Sequence, residues 1–234
     1  MENITKIRNK SRFGQNFLNS IHHLDLLQTK ILEHIPQGSR ILEVGPGAGA
    51  LTDRLIKHYG VTAVEIDPGL MELLSYFRLE KLLNVDFCKT GTDHQYYVGN
   101  LAYNRAVEIM LHAMSQENFK TGIFLIQKEV AEKIRAVGKQ NRLSFIFNLS
   151  CGITHLMNIP GCCFKPHVQV TGSVILLKIK QDRPPLETLM KSRDLFKSPR
   201  RKIKNNVKQT CNLGEFRVEQ LTLQKLLEIV LANR

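Results

Sequence analysis

Apolar residues recur along this 234-residue chain in two alternating rhythms. Leu24, Leu27, Ile31 and Ile35 fall at helical spacing behind Ser20, a side chain suited to capping a helix start. Apolar runs at 41–44, 61–66, 96–99 and 122–126 suit buried strands. Helical patterns separate them, one carrying Val107, Met110, Leu111 and Met114. That alternation predicts a parallel sheet wound with helices on both faces, a Rossmann-like α/β fold. Residues 84–87 read as a further strand, 143–149 fit either helix or strand, and 172–180 read as a closing strand. Pro184-Pro185 then marks a boundary, dividing the chain into 1–183 and 184–234. The second part reads as small and helical. In its last helix Leu223, Leu226, Leu227, Val230 and Leu231 form an apolar stripe behind Thr222. There is no internal repeat and no low-complexity tract.

The run at 41–44 ends in Gly45, Gly47 and Gly49, alternate glycines that suit a strand turning sharply towards a helix. Glycine admits positive φ and lets a ligand approach the backbone closely. The next run, Val61 to Asp67, ends in acid about twenty residues after Gly45, where a nucleoside ribose needs a carboxylate acceptor. The pair predicts an adenosine-containing cofactor. Dinucleotide enzymes usually carry Gly-x-Gly-x-x-Gly over a pyrophosphate. The spacing here is Gly-x-Gly-x-Gly, with Glu43 two residues before the first glycine. A carboxylate there suits a cationic ligand better, and S-adenosylmethionine fits both acids.

A third strand end carries Asn100-Leu101-Ala102-Tyr103-Asn104. An aromatic ring can stack on a flipped base, while the Asn carbonyl oxygen and a backbone carbonyl accept hydrogens from its exocyclic amine. Positioning for in-line transfer then supplies much of the rate without a strong base. The bland alternative is a turn in which Asn100 caps the following helix.

With these residues in view, the chain resembles the ribosomal RNA adenine N6,N6-dimethyltransferases along nearly its whole length. Phe13-Gly14-Gln15-Asn16-Phe17-Leu18 is similar to the family's leading motif, and Glu43-Val44-Gly45-Pro46-Gly47 to its glycine loop. Val64-Glu65-Ile66-Asp67, Asp86 and the Asn100–Asn104 segment follow. Gln127-Lys128-Glu129-Val130, Arg142-Leu143-Ser144 and Phe164-Lys165-Pro166 keep the family order. The resemblance implies that Asn16, Leu18, Glu43, Gly45, Gly47, Glu65, Asp86 and Asn100 line the cofactor site. Glu65 would hold the ribose and Asp86 would face the adenine amino group. Asn100, Leu101 and Tyr103 would hold the target adenine, with Phe164 closing on its other face. Without the resemblance, Phe164 reads as an ordinary core aromatic.

The chain departs from the family at several places. Ala102 stands for a proline, the stretch from Asp86 to Asn100 is short, His167 and Val168 replace prolines, and Asn141 replaces a glycine. None of these is a cofactor position.

Charge fits an RNA substrate. The net charge is +12, concentrated in Lys6, Arg8, Lys10 and Arg12 and in a second cluster that includes Arg200, Arg201, Lys202 and Lys204. Such runs are usually solvated faces, but beside a base-modifying site phosphate contact is the better reading. Phe196 to Asn206 resembles the helical domain of enzymes acting on small-subunit ribosomal RNA. The predicted partner is therefore that RNA or a precursor of the small subunit. The competing readings are a large-subunit enzyme of the macrolide-resistance branch and a non-catalytic assembly factor of the same fold. Five cysteines without a paired Cys-x-x-Cys, and histidines without metal-ligand spacing, predict reduced thiols and no metal. No apolar segment is long enough to enter a membrane. A cytoplasmic monomer is the expectation.

Overall fold

The computed structural model describes residues 16–136 and 141–233. The basic residues at 6, 8, 10 and 12, and positions 13–15 of the leading motif, lie outside the described residues. Two strands and a helix come first among the described residues: β1 (Phe17–Leu18), α1 (Ile21–His34) and β2 (Arg40–Val44). The α1 start is capped as its sequence predicts, the Ser20 hydroxyl accepting from the His23 amide, and Leu24, Leu27 and Ile31 face the core. There follow α2 (Thr52–Leu55), β3 (Gly60–Glu65), α3 (Met71–Ser75), β4 (Lys81–Asn84), β5 (Tyr96–Asn100), α4 (Ala106–Ser115) and β6 (Thr121–Gln127). The remainder comprises α5 (Lys128–Arg135), α6 (Arg142–Ser150), β7 (Cys151–Ile159), β8 (Phe164–Lys165), β9 (Gly172–Ile179), α7 (Leu186–Met190) and α8 (Leu223–Ala232).

Seven strands form one sheet in the order β4-β3-β2-β5-β6-β9-β7, and its first five members pair in parallel. Ile41, Leu42, Val98, Phe124 and Leu125 are buried on it, as strands covered on both faces require. From β2 the chain winds one way through β3 and β4, then returns to place β5 on the other side of β2. The gap between β2 and β5 is the topological switch point, where open α/β sheets bind ligands. β1 and β8 form a separate antiparallel pair, Phe17 opposite Lys165 and Leu18 opposite Phe164.

Several elements differ from the reading of the sequence. The weak strand expected at 84–87 ends at Asn84, because the Asp86 side chain accepts from the Cys88 amide and starts a 3-10 turn instead. The ambiguous 143–149 is helical. Asn141 explains why: its side chain and that of Ser144 bond reciprocally to each other's amides, a complete capping box where the family has glycine. β7 was invisible in the pattern, since only its first and last residues are buried and nothing alternates. The C-terminal part is less helical than expected, with short 3-10 turns and an isolated bridge between Lys202 and Arg217 joining α7 to α8. In α8 the buried residues are Leu226, Ile229 and Val230; Leu231 is exposed.

The chain divides into two compact units, but not at a single break. One runs to Lys128 and resumes over Thr154–Leu177; the other comprises Glu129–Ile153 and everything from Lys178 on. Residues 129–153 join the C-terminal part because α6 packs on α7 and Phe145 on Phe196, with ring centroids 5.4 Å apart. The Pro184-Pro185 boundary lies inside this second unit. Among the described residues no helix is long and apolar enough to cross a membrane.

Asn141→Ala should lower unfolding stability by about 1 kcal/mol, the usual cost of losing a side-chain N-cap. Denaturant titration should find Asn141→Ser much closer to the wild type; equal losses in both would refute the capping role.

Candidate active site

Everything that the sequence assigned to cofactor and target base, with the described part of the leading motif, lies in the first unit. β2 ends in a loop whose Gly45, Gly47 and Gly49 have φ of 67°, 59° and 80°. These left-handed values are why the positions are glycine. A Cβ at Gly45 would meet no atom within 4 Å, so the space above it is open; at Gly47 it would stand 2.8 Å from the Phe17 ring.

Glu65, at the tip of β3, is 3% exposed. Its Oε2 accepts from the Gly47 amide at 3.1 Å and its Oε1 from the Asp67 amide at 2.9 Å. Burial raises its pKa, opposed by those two amides. Each carboxylate oxygen can accept two hydrogens, so the bridge that shapes the loop leaves acceptor capacity for a ligand's hydroxyls. Glu43 is deeper, 1% exposed, and its Oε2 accepts from the Thr52 hydroxyl at 2.7 Å. Burial pushes its carboxyl up to about 7; the Thr52 hydroxyl opposes the rise and the Glu65 charge adds to it.

Asp86 is bound to a partner that the sequence did not announce. Its carboxylate takes both ends of the Arg105 guanidinium, at 3.1 and 3.2 Å, and also the Cys88 amide. Burial pushes its pKa up, but the Arg105 hydrogen bonds and the Cys88 amide outweigh this and hold it below the usual carboxylate range. Arg105 reaches Glu108 as well, at 2.8 and 3.0 Å. The Arg105–Glu108 spacing of three on a helix start was a visible signal; the link to Asp86 was not. Phe17, Thr52 and Gly99 are further participants that pattern alone could not pick out.

Asn100 closes β5 and does not cap α4, which begins six residues later with no side-chain cap. The Asn100 Nδ2 donates to the Asn16 carbonyl at 2.8 Å. Anchoring the amide nitrogen fixes which way the amide faces and leaves Oδ1 as the acceptor. The Leu101 side chain is buried and its amide donates to the Leu125 carbonyl, so what it can offer a ligand is its own carbonyl. The Tyr103 hydroxyl is buried without a partner among the described residues, and its ring stands edge-on to Phe164 at 6.5 Å between centroids. Phe164 is 2% exposed and belongs to the core around Leu18 and Leu125. It is thus both Tyr103's neighbour and a packed core residue.

The structure therefore brings Asn16, Leu18, the glycine loop, Glu43, Glu65, Asn100, Tyr103 and Phe164 into one unit around the carboxyl ends of β2, β3 and β5. Arg200, Arg201, Lys202 and Lys204 belong to the other. Arg200 and Arg201 are exposed, whereas Lys202 and Lys204 both bond to Glu215. The two lysines, Lys202 first, hold the Glu215 carboxyl down at about 2.

Strand order and a switch-point loop of this kind define the S-adenosylmethionine-dependent methyltransferase fold. The backbone matches a crystal structure of a dimethyladenosine transferase from Plasmodium falciparum with a TM-score of 0.76 and 20% identity, over 92% of this chain and 96% of that one. It matches the 23S rRNA methyltransferase ErmE at 0.66 and 21%, over 92% and 99%. Within that class the chain belongs to the ribosomal RNA adenine dimethylase family, whose model matches residues 6–227. Among its curated relatives, the ribosomal RNA small subunit methyltransferase A of Aliarcobacter butzleri is 32% identical, over 86% of this chain and 82% of that protein. The protein of the same name in Pseudomonas putida is 30% identical, over 92% and 91%.

Glu43 makes this site sensitive to pH. An acid whose folded pKa stands near 7 against an ordinary 4.5 destabilises the fold once it must ionise. Between those two values the unfolded chain has lost the proton that the folded one keeps. Stability from this group is therefore highest below 4.5, falls through the window and is flat above 7. Glu43→Gln should abolish that fall, worth about 3 kcal/mol at 1.36 kcal/mol per pKa unit. Unfolding titrations across the window test it; parallel curves for both proteins would refute the assignment.

Proposed function

We propose that this chain transfers methyl groups from S-adenosylmethionine to N6 of two adjacent adenosines near the 3' end of small-subunit ribosomal RNA, acting as a cytoplasmic monomer in ribosome assembly. The observation that carries the reading is the anchored amide of Asn100, whose free oxygen faces away from Asn16. The names of the curated relatives favour the small subunit over the large.

The residues fit the cofactor. Open space above Gly45 admits a ligand against the backbone, and Glu65 has acceptor capacity left for ribose hydroxyls. Asp86 retains a lone pair on Oδ2 for an adenine amino group, since Arg105 and the Cys88 amide leave one acceptor position there. Glu43 offers a carboxyl whose ionisation a nearby cation would favour. S-adenosylmethionine, when bound, supplies an electrophilic methyl group on a sulfonium.

At the target, Asn100 Oδ1 and the Leu101 carbonyl accept the two hydrogens of the adenine amine. Held so, the amine nitrogen would keep its lone pair clear of both acceptors and open towards the cofactor site. S-adenosylmethionine bound there would lose its methyl group to that nitrogen as the sulfur–methyl bond breaks to leave a neutral thioether, and the amine proton would pass to water. Tyr103 stacks on the base. Phe164 backs it from the other side, which requires its ring to be uncovered from the core. The segment beyond Pro184-Pro185 serves as the RNA-binding domain through Arg200, Arg201, Lys202 and Lys204. Base flipping costs least where the adenosines are already unpaired.

Asn100→Ala should cut methyl transfer by at least ~100-fold, since a misplaced amine loses the benefit of positioning. S-adenosylmethionine affinity should change far less. Labelled cofactor incubated with undermethylated small subunits and with large subunits tests the whole reading. Label confined to adjacent small-subunit adenosines is expected; label in the large subunit, or in neither, would overturn it.

Glu65→Ala separately tests the cofactor site, with an expected loss of ~1–3 kcal/mol in binding, the scale for a hydrogen bond to a charged group. Unchanged calorimetric affinity in a folded variant would remove Glu65 from the site.

A further inference from the structure

The second unit contains a cavity of about 650 Å³ that the strand-end site does not use. Arg142, Arg193, Lys197, Asp194, Phe196 and Asn141 line it. Three cations thus face one carboxylate, and none of the three is in an ion pair among the described residues. This is unlike Lys202 and Lys204, whose charge Glu215 answers.

The Arg142 side chain is anchored, whereas for Arg193 and Lys197 it is the backbone that is held. Arg142 opens α6 and donates through Nη2 to the Met190 carbonyl at 2.9 Å, which caps the end of α7 and fixes the plane of the guanidinium. Its Nε is buried with no partner among the described residues. Burial and the charge of Arg193 both lower the Arg142 pKa from its ordinary value. Arg193 and Lys197 lie four residues apart on successive helical turns, closed by the Phe196 amide to the Ser192 carbonyl and the Lys197 amide to the Asp194 carbonyl. Phe196 packs against Phe145 and forms a fixed aromatic wall. Asn141 gives its Oδ1 to the capping box and one Nδ2–H to the Lys133 carbonyl, which leaves it a single N–H to spare.

The anchored Arg142 guanidinium, the Arg193 charge that acts on it and the Lys197 cation four residues on line one cavity, a set of groups that suits an anion. Guanidinium presents fixed N–H donors that match the oxygens of a phosphate. The cavity is larger than one phosphate group, so the sugars on either side can enter beside the Phe196 ring. We propose that this cavity seats a backbone phosphodiester of the RNA, held by the part of the Arg142 guanidinium that lines it and by the charges of Arg193 and Lys197. It rests on the RNA reading above and adds a built phosphate seat to the exposed cluster at Arg200 to Lys204. Asp194 is the built-in opponent and sets a limit on affinity.

The test uses the full chain and a small-subunit 3'-end hairpin RNA with two adjacent unpaired adenosines, its binding followed by anisotropy across a sodium chloride series. The double variant Arg193→Gln, Lys197→Gln should bind at least ~10-fold more weakly at near-physiological salt, and its log–log salt slope should fall by about 0.7–0.9 for each phosphate charge no longer neutralised. Arg142→Lys keeps the charge but loses the N–H fork, so affinity should drop while the slope holds. Asp194→Asn should bind several-fold more tightly. Arg193 and Lys197 are exposed, so that pair carries the test even if the Arg142 variant fails to fold. Wild-type affinity and slope in the double variant, while Arg200→Gln, Arg201→Gln weakens binding, would overturn the cavity and leave the RNA reading intact. A wild-type chain that does not bind the hairpin at all would overturn both.

Discussion

The close approach of β2 and β5 sets the geometry on which the site depends. Parallel neighbours deliver their carboxyl ends to the same edge, and these two pair with Glu43 opposite Val98. Two residues further on come Gly45 and Asn100, so glycine loop and amide emerge side by side. A Cβ on Gly99 would stand 2.5 Å from the Val44 carbonyl oxygen, closer than two backbones carrying a side chain between them can come. Gly99 therefore fixes the separation of the two loops as surely as the loop glycines fix their curvature. Glu65 completes the frame by tying the Gly47 amide to the tip of β3. A charge that was expected to serve only a ligand also holds the loop in shape.

A second constraint comes from two residues of β-structure outside the main sheet. β1 and the residue before it supply the Asn16 carbonyl to Asn100, the Phe17 ring to Gly47 and Leu18 to Phe164 through the β1–β8 pairing. The glycine loop, the Asn100 amide and the Phe164 ring are linked through three successive positions. Leu18 and Phe164 are both in the core, so this clasp is held by burial rather than by its few hydrogen bonds.

How much of this the sequence disclosed follows from the range of each interaction. The strand runs and the glycine–acid spacing are local patterns, and β2, β3, β5 and β6 stand where periodicity put them. Ser20 and Thr222 cap their helices because capping acts over three residues. The Asp86–Arg105 pair spans nineteen positions with no period to betray it. β7 lacked alternation, and the 3-10 turns that fill the C-terminal unit carry no apolar rhythm. The segregation of 129–153 with the C-terminal part is also non-local: Phe145 meets Phe196 fifty-one residues away. A proline pair marks where a chain can break, not which segments pack together.

Charge makes the same point with more consequence. A net +12 suits a polyanionic partner but says nothing of where one would be met, because many of the cations have internal duties. Arg40 is held by Glu80, Arg54 by Asp25, Arg105 by Asp86 and Glu108, and Lys202 and Lys204 by Glu215. An exposed pair of this kind contributes little to stability, and its cation must give up a partner before it can serve a phosphate. Arg105 shows the other use of such a pair. It joins Asp86 to the first residue after the Asn100–Asn104 loop, where Ala102 forgoes the rigidity that proline would have supplied. A bidentate ion pair and a proline restrict a loop by different means, one by a contact that can be undone and the other by covalent geometry. In this chain the loop that would carry the target base is fastened through the acid that would carry the cofactor's, so whatever loosens one grip loosens the other.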